Sequence, residues 1–275
     1  MKPSSLDTNP TPANTAAVEH EPTSLTLDAG IAVITMNDPA RRNALGRAML
    51  SGLTDAFASA ATARAVVLRS APGSTVWCAG FDINDLAPGH DPLAQDGPLQ
   101  ALFQAVATCP APVIAMLDGT AWGGGTDLAL RCDIAIASPA CTLAFTPARL
   151  GLPYDPDGLL NVLLRGGMSL AIEMFATADA VPAERALASG LVNHLVPATE
   201  IEAFTLAMAR RIAANAPLSV ASAKRQLRAL NAAMPLPPAE LHRLLDQRRA
   251  ALTSNDFAEG LAAFRAKRKA DFTGS

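Results

Sequence analysis

Histidine is scarce in this chain: four in 275 residues, at His20, His90, His194 and His242, with no HExxH pair among them. That argues against a zinc-type centre, and no metal site is expected. The four cysteines, Cys78, Cys109, Cys132 and Cys141, have no CxxC spacing. They read as reduced, mostly buried side chains and not as a disulfide framework. Aromatic residues make up only 4% of the chain, with one tyrosine, and no basic–aromatic pattern marks a nucleic-acid surface. A net charge of −3 supplies no overall basic field for nucleic acid or an anionic membrane. No run of about 18 uncharged apolar residues occurs, so no membrane span is expected. Missing too are GxxxxGKS/T, GxGxxG and GxSxG. The first absence excludes a phosphate-cradling NTPase loop; the others argue against a dinucleotide fold and a serine hydrolase. Residues 1–22 lack the apolar centre of a signal peptide. Rich in Pro, Thr, Ala and Asn, they read as a disordered tail, and a cytoplasmic chain is expected.

What remains is half hydrophobic and 17% charged, enough for one large core that needs no disulfide or metal staples. Residues 24–36 alternate around Asp28-Ala-Gly30, a hairpin signal broken by Asn37-Asp-Pro39. Short apolar runs at 65–69, 112–117 and 133–137 read as buried strands. Helical patterns lie between them at 46–63, 99–108 and from the glycines at 123–125 to about 131, and residues 87–98 are too rich in Pro and Gly for regular structure. Strand and helix signals alternate to about residue 145, which argues for an α/β sheet with right-handed crossovers. Beyond about residue 156 helices dominate, at 158–165, 170–176, 182–189, 200–214, 218–233, 238–251 and 256–269, with one short strand at 192–196.

Two glycine-bearing stretches carry the chemistry: Cys78-Ala-Gly-Phe-Asp82 and Trp122-Gly-Gly-Gly-Thr-Asp127. Glycine lets a backbone amide approach a ligand with no Cβ in the way. Amides that open a helix are unpaired and sit at the positive end of its dipole. Two of them converging on one point make an oxyanion hole, which needs no histidine, serine or lysine. By itself the triple glycine also fits tight helix–sheet packing. The basic run from Arg265 to Lys269 also fits a solvated helix face.

Taken in order, Arg41-Arg-Asn-Ala-Leu45, Cys78-Ala-Gly-Phe-Asp82, Gly123-Gly-Gly-Thr-Asp127 and Cys132-Asp133 resemble the enoyl-CoA hydratase/isomerase (crotonase) superfamily over nearly the whole chain beyond the tail. The resemblance implies an α/β spiral of ββα units over 23–210 and a helical trimerisation region over 211–275. It also implies homotrimers, or hexamers as dimers of trimers. The substrate would be an acyl-CoA thioester, with coenzyme A part of the substrate and no separate cofactor. The amides of Phe81 and Gly124 would form the oxyanion hole. Arg41, Arg42 and Ala44, with Ala79, Gly80, Asp82 and Ile83, would line the coenzyme A channel. Lys267 matches a lysine that contacts coenzyme A, often from a neighbouring subunit's helices, and Phe264 would pack beside the adenine or pantetheine.

Asp127 occupies the place of one hydratase glutamate but is a methylene shorter, and Pro147 occupies the place of the other. Hydration wants a base and an acid together, and a prolyl ring is neither. Asp91-Pro-Leu93, Thr146-Pro147, Leu150-Gly-Leu-Pro-Tyr154, Glu259-Gly-Leu-Ala-Ala-Phe264 and Lys267-Arg-Lys269 resemble the superfamily's methylmalonyl-CoA-decarboxylating branch. That branch implies that Thr146 and Tyr154 orient a departing carboxylate. It carries a histidine where this chain has Phe81. Asp155 and Asp157 follow Tyr154. They fit a helix cap, with Pro156 at the first helical position, or an acid/base pair. A hydratase or isomerase using Asp127, Asp155 or Asp157 is the enzymatic alternative, and a catalytically silent acyl-CoA-binding protein the non-enzymatic one.

Overall fold

Parallel strands covered on both faces read as continuous apolar runs, and the central strands here do so. The computed structural model describes residues 21–86, 91–92, 94, 96–232 and 237–275. All but the last two residues of the expected disordered tail lie outside these. At its end the Pro22 carbonyl accepts a hydrogen bond from the Asn37 amide at 2.7 Å. Much of the irregular stretch expected at 87–98 also lies outside the described residues.

The hairpin β1 (Thr23–Asp28) and β2 (Ile31–Met36) leads into α1 (Arg47–Ser59). Three ββα turns follow. The first is β3 (Ala65–Ser70), β4 (Val76–Cys78) and α2 (Pro98–Thr108). The second is β5 (Val113–Leu117), β6 (Thr120–Trp122) and α3 (Gly124–Arg131). The third is β7 (Ile134–Ala137), β8 (Thr142–Ala144) and α4 (Pro156–Thr177). Then come β9 (Val181–Pro182), α5 (Ala183–Ser189), β10 (His194–Leu195), α6 (Ile201–Ala214), α7 (Pro217–Ala232), α8 (Pro238–Leu252) and α9 (Asn255–Arg265). The first strand of each turn joins a six-stranded sheet ordered β1-β2-β3-β5-β7-β10; the second joins a smaller sheet ordered β4-β6-β8-β9. Apart from the β1–β2 and β8–β9 pairs, the ladders are parallel. This is the crotonase fold.

Successive residues of each large-sheet strand serve two cores, as the two-residue period of a strand requires. Val66, Leu68, Val113, Ala115 and Leu117 face the main core with Trp77, Phe103 and Phe145. Val67, Ile114, Met116 and Ile136 face a second core closed by Ile201, Met208 and Ala209 of α6. Because α6 runs through to Ala214 on that sheet, a boundary at residue 210 cuts a packed helix; the outlying helices begin after it.

The helix α4 has the length and mean hydropathy (1.4) of a membrane span, against the expectation of none. Its backbone is broken at Gly167 (φ 79°, ψ 168°), as the separate segments 158–165 and 170–176 anticipated. Neither half approaches the roughly 20 residues that a span needs. The last helix stops at Arg265, short of the expected Lys269, and Lys267 takes a left-handed φ of 51°.

Candidate active site

The loop 41–45 must lie against β4 before anything can bind between them, and Asn43 holds it there. Its buried side chain donates to the carbonyls of Val76 and Trp77 and accepts from the Asp38 amide. These bonds offset the left-handed φ of 52° that Asn43 adopts. Main-chain bonds continue the seam, Ala79 N to Arg42 O at 3.0 Å and Leu45 N to Gly80 O at 2.7 Å. The two motifs expected to line one channel are therefore adjacent. Of their residues, Ala79, Gly80, Phe81 and Ile83 line an apolar cleft. Arg41 and Arg42 are exposed at the outer end of the loop, Ala44 is half-buried, and Asp82 caps a 3-10 turn by accepting from the Asn84 amide.

Gly80 brings the second glycine motif to the first. A Cβ at Gly80 would sit 2.4 Å from the Trp122 carbonyl and 3.2 Å from the Gly124 amide nitrogen; one at Gly124 would sit 3.4 Å from the Phe81 amide nitrogen. The amides of Phe81 and Gly124 thus flank one spot. Neither has a protein acceptor among the described residues, and Gly124 opens α3. The cleft walls are completed by Thr146 and Pro147, by Leu150 and Leu152, and by Tyr154. No carboxylate, histidine or lysine lines it among the described residues.

Asp127 does not line the cleft. It is fully buried behind Tyr154, and each of its oxygens is taken. Arg131 holds both, at 3.0 and 3.2 Å; Asn161 Nδ2 donates to Oδ1 at 3.0 Å, and the Tyr154 hydroxyl to Oδ2 at 3.1 Å. The Tyr154 ring is fixed edge-on to Phe145 at 5.1 Å and against Phe175 at 5.4 Å. Burial, then the charges of Asp127 and Asp155, push its phenol well above the usual range, so it stays a neutral donor. Asp155 is the cap of α4, its Oδ1 accepting from the Asp157 and Gly158 amides. Burial and the nearby Asp127 raise its carboxyl above the ordinary aspartate range. Asp157 is exposed in the first turn of that helix.

Sequence reasoning missed Arg131, Asn161 and Gly158. The signal for Arg131 was its i+4 spacing from Asp127 on one helix. Nothing local marks Asn161, which reaches Asp127 only because α4 packs on α3.

The C-terminal helices return to their own chain. Phe257 and Leu261 of α9 pack with Leu86, Leu150 and Leu152, three of the cleft's lining residues. Arg265 donates to the Leu86 carbonyl at 2.7 Å. Beyond the helix, Arg268 pairs with Glu259, which also accepts from the Asp271 amide, holding the Glu259 carboxyl down at about 2. This hook carries Lys267, exposed like Phe264, on the same chain as the cleft that α9 walls.

A crotonase fold with two free amides in an apolar cleft defines a class of acyl-CoA enzyme. Residues 26–275 match the enoyl-CoA hydratase/isomerase family, and the chain belongs to it. Within the family it is similar to methylmalonyl-CoA decarboxylase of Escherichia coli (strain K12), 38% identical over 247 residues, 89% of this chain and 95% of that protein. A solved structure of methylmalonyl-CoA decarboxylase in complex with 2-nitronate-propionyl-CoA superposes with a TM-score of 0.89 at 36% identity, over 92% of this chain and 98% of that one. A probable enoyl-CoA hydratase of Rhodobacter capsulatus is 34% identical over 90% of this chain and 96% of its own length.

Proposed function

We propose that this enzyme decarboxylates a short malonyl-type thioester, with methylmalonyl-CoA as the favoured substrate. The observation that carries this reading is the cleft's lack of a carboxylate, histidine or lysine among the described residues, with Pro147 in its wall and Asp127 locked behind Tyr154. Hydration needs a base and an acid at the double bond. Loss of CO2 needs neither: the C–C bond breaks, its electron pair passes into the thioester as an enolate, and a proton from water then adds at carbon once CO2 has left. The amides of Phe81 and Gly124 would hold the enolate oxygen, a stabilisation that grows as negative charge develops there. Thr146 would orient the departing carboxylate together with the neutral Tyr154 hydroxyl, whose one proton would turn to the substrate from Asp127, a carboxylate that Arg131 and Asn161 still hold. Phe81 supplies only its main chain to the oxygen, and its ring keeps the cleft dry, which favours loss of charge from a carboxylate. Arg41, Arg42 and Lys267 would pair with the phosphates of coenzyme A, whose remote binding energy would fix the acyl group.

The test is a paired assay of methylmalonyl-CoA loss with CO2 release against crotonyl-CoA hydration. Decarboxylation without hydration is expected, and Tyr154→Phe should lower its kcat about tenfold, the scale of one lost hydrogen bond to a charged group. Because the phenol stays protonated, Tyr154 adds no alkaline limb to the pH–rate profile. Hydration without decarboxylation, abolished by Asp127→Asn, would establish the hydratase alternative; binding of acyl-CoA with no turnover would establish a silent binding protein.

A further inference from the structure

On the far side of Asp127 from the acyl cleft lies a second cavity, of about 340 Å³, between the end of α3, the first half of α4 and α7. Four cations line it, Arg131, Arg165, Lys224 and Arg228, against one carboxylate, Asp133. Lys224 and Arg228 share Asp133, each at 2.7 Å, and Arg131 is held by Asp127. Arg165 has no carboxylate partner among the described residues and donates only to the Cys132 carbonyl at 2.6 Å. The Nε of Arg228 is buried with no partner. The cavity therefore holds an excess of positive charge and an unused guanidinium donor, while its two amide side chains, Asn161 and Asn231, can donate as well. Uncompensated buried charge is costly, and burial here pushes the Arg165 guanidinium below its ordinary range.

We propose that this cavity is a binding site for a small oxyanion of phosphate, sulfate or bicarbonate size. Arg165 and Arg228 would supply charge-assisted hydrogen bonds, the planar guanidinium being suited to two oxygens at once. The site also touches the acyl cleft through shared side chains: Arg131 and Asn161 line the cavity and both hold Asp127, which holds Tyr154. An anion that draws Arg131 toward itself loosens that support, so occupancy acts on the Tyr154 hydroxyl from behind. The proposal does not depend on which reaction the cleft performs.

Inorganic phosphate is the probe, titrated into the full chain at constant ionic strength and followed by calorimetry. Saturable binding is expected, weakened about tenfold in Arg228→Gln, the scale of one charge-assisted hydrogen bond. Arg228 is partly exposed, so that variant keeps its fold, checked by circular dichroism; Arg165→Gln, more deeply set, is the second variant and should weaken binding likewise. Lys267→Ala, on the acyl-CoA side, should leave phosphate affinity unchanged. Non-saturable binding, or binding insensitive to Arg228→Gln but abolished by Lys267→Ala, overturns the proposal. So does an Arg228→Gln variant that dissociates into smaller species while the parent chain binds no phosphate, because the cavity would then hold a carboxylate of a second copy.

Discussion

At the residue scale the cleft is organised by what stands behind it. Gly158 is the clearest case: a Cβ there would lie 2.2 Å from a ring carbon of Tyr154 and 2.9 Å from an Asp127 oxygen. The ring can rest on the first turn of α4 only because residue 158 has no side chain. Gly158→Ala should keep the fold, since alanine is a better helix former than glycine, yet push the Tyr154 hydroxyl off its place. Displacing the hydroxyl forfeits what deleting it does, about tenfold in rate. A loss of that size in kcat is the expected result, with a melting temperature lowered by crowding of the fixed ring, read by steady-state kinetics beside thermal unfolding. Phe81, Gly124, Thr146 and Tyr154 could be singled out from the chain because they stand in short motifs at fixed places. The locking of Asp127 could not: it takes Arg131 from the same helix, Asn161 from the next and Tyr154 from a loop.

At the scale of elements, long segments with a clear period were readable and three-residue ones were not. The strands at 65–70 and 113–117 and the helices α1, α2 and α6 follow from continuous apolar runs and helical spacing. The strands β6 (Thr-Ala-Trp) and β8 (Thr-Leu-Ala) are too short to show any period, so the second sheet emerges only from their pairing. The placement of α9 was equally hidden. Its apolar residues indicate a buried face but not whose surface that face covers. A Cβ at Gly260 would sit 2.2 Å from the Leu150 carbonyl, so helix and cleft wall meet at backbone distance. Gly260→Ala should cost about 1–3 kcal/mol by overpacking, lowering the denaturation midpoint. It should also raise the KM for acyl-CoA, because Leu150 and Leu152 shift with the helix.

For the whole molecule, the apolar surface left uncovered is informative. Met168 and Ile172 on the second half of α4 and Leu218, Leu227 and Leu230 on α7 are each more than half exposed. Large contiguous apolar surface is uncommon on a monomer. We propose that these helices meet other copies of the chain, giving the trimer or paired trimer that the family resemblance implies. Sedimentation equilibrium should return a multiple of three times the 28.4 kDa chain mass, and charged substitutions at Met168 and Leu218 together should lower it.

The return of α9 to its own chain then separates two properties that quaternary structure often binds together. The described residues that wall the cleft, and the hooked tail that carries Lys267, lie on one polypeptide. An enzyme walled in this way should keep its turnover per site when diluted to single chains and lose only its endurance.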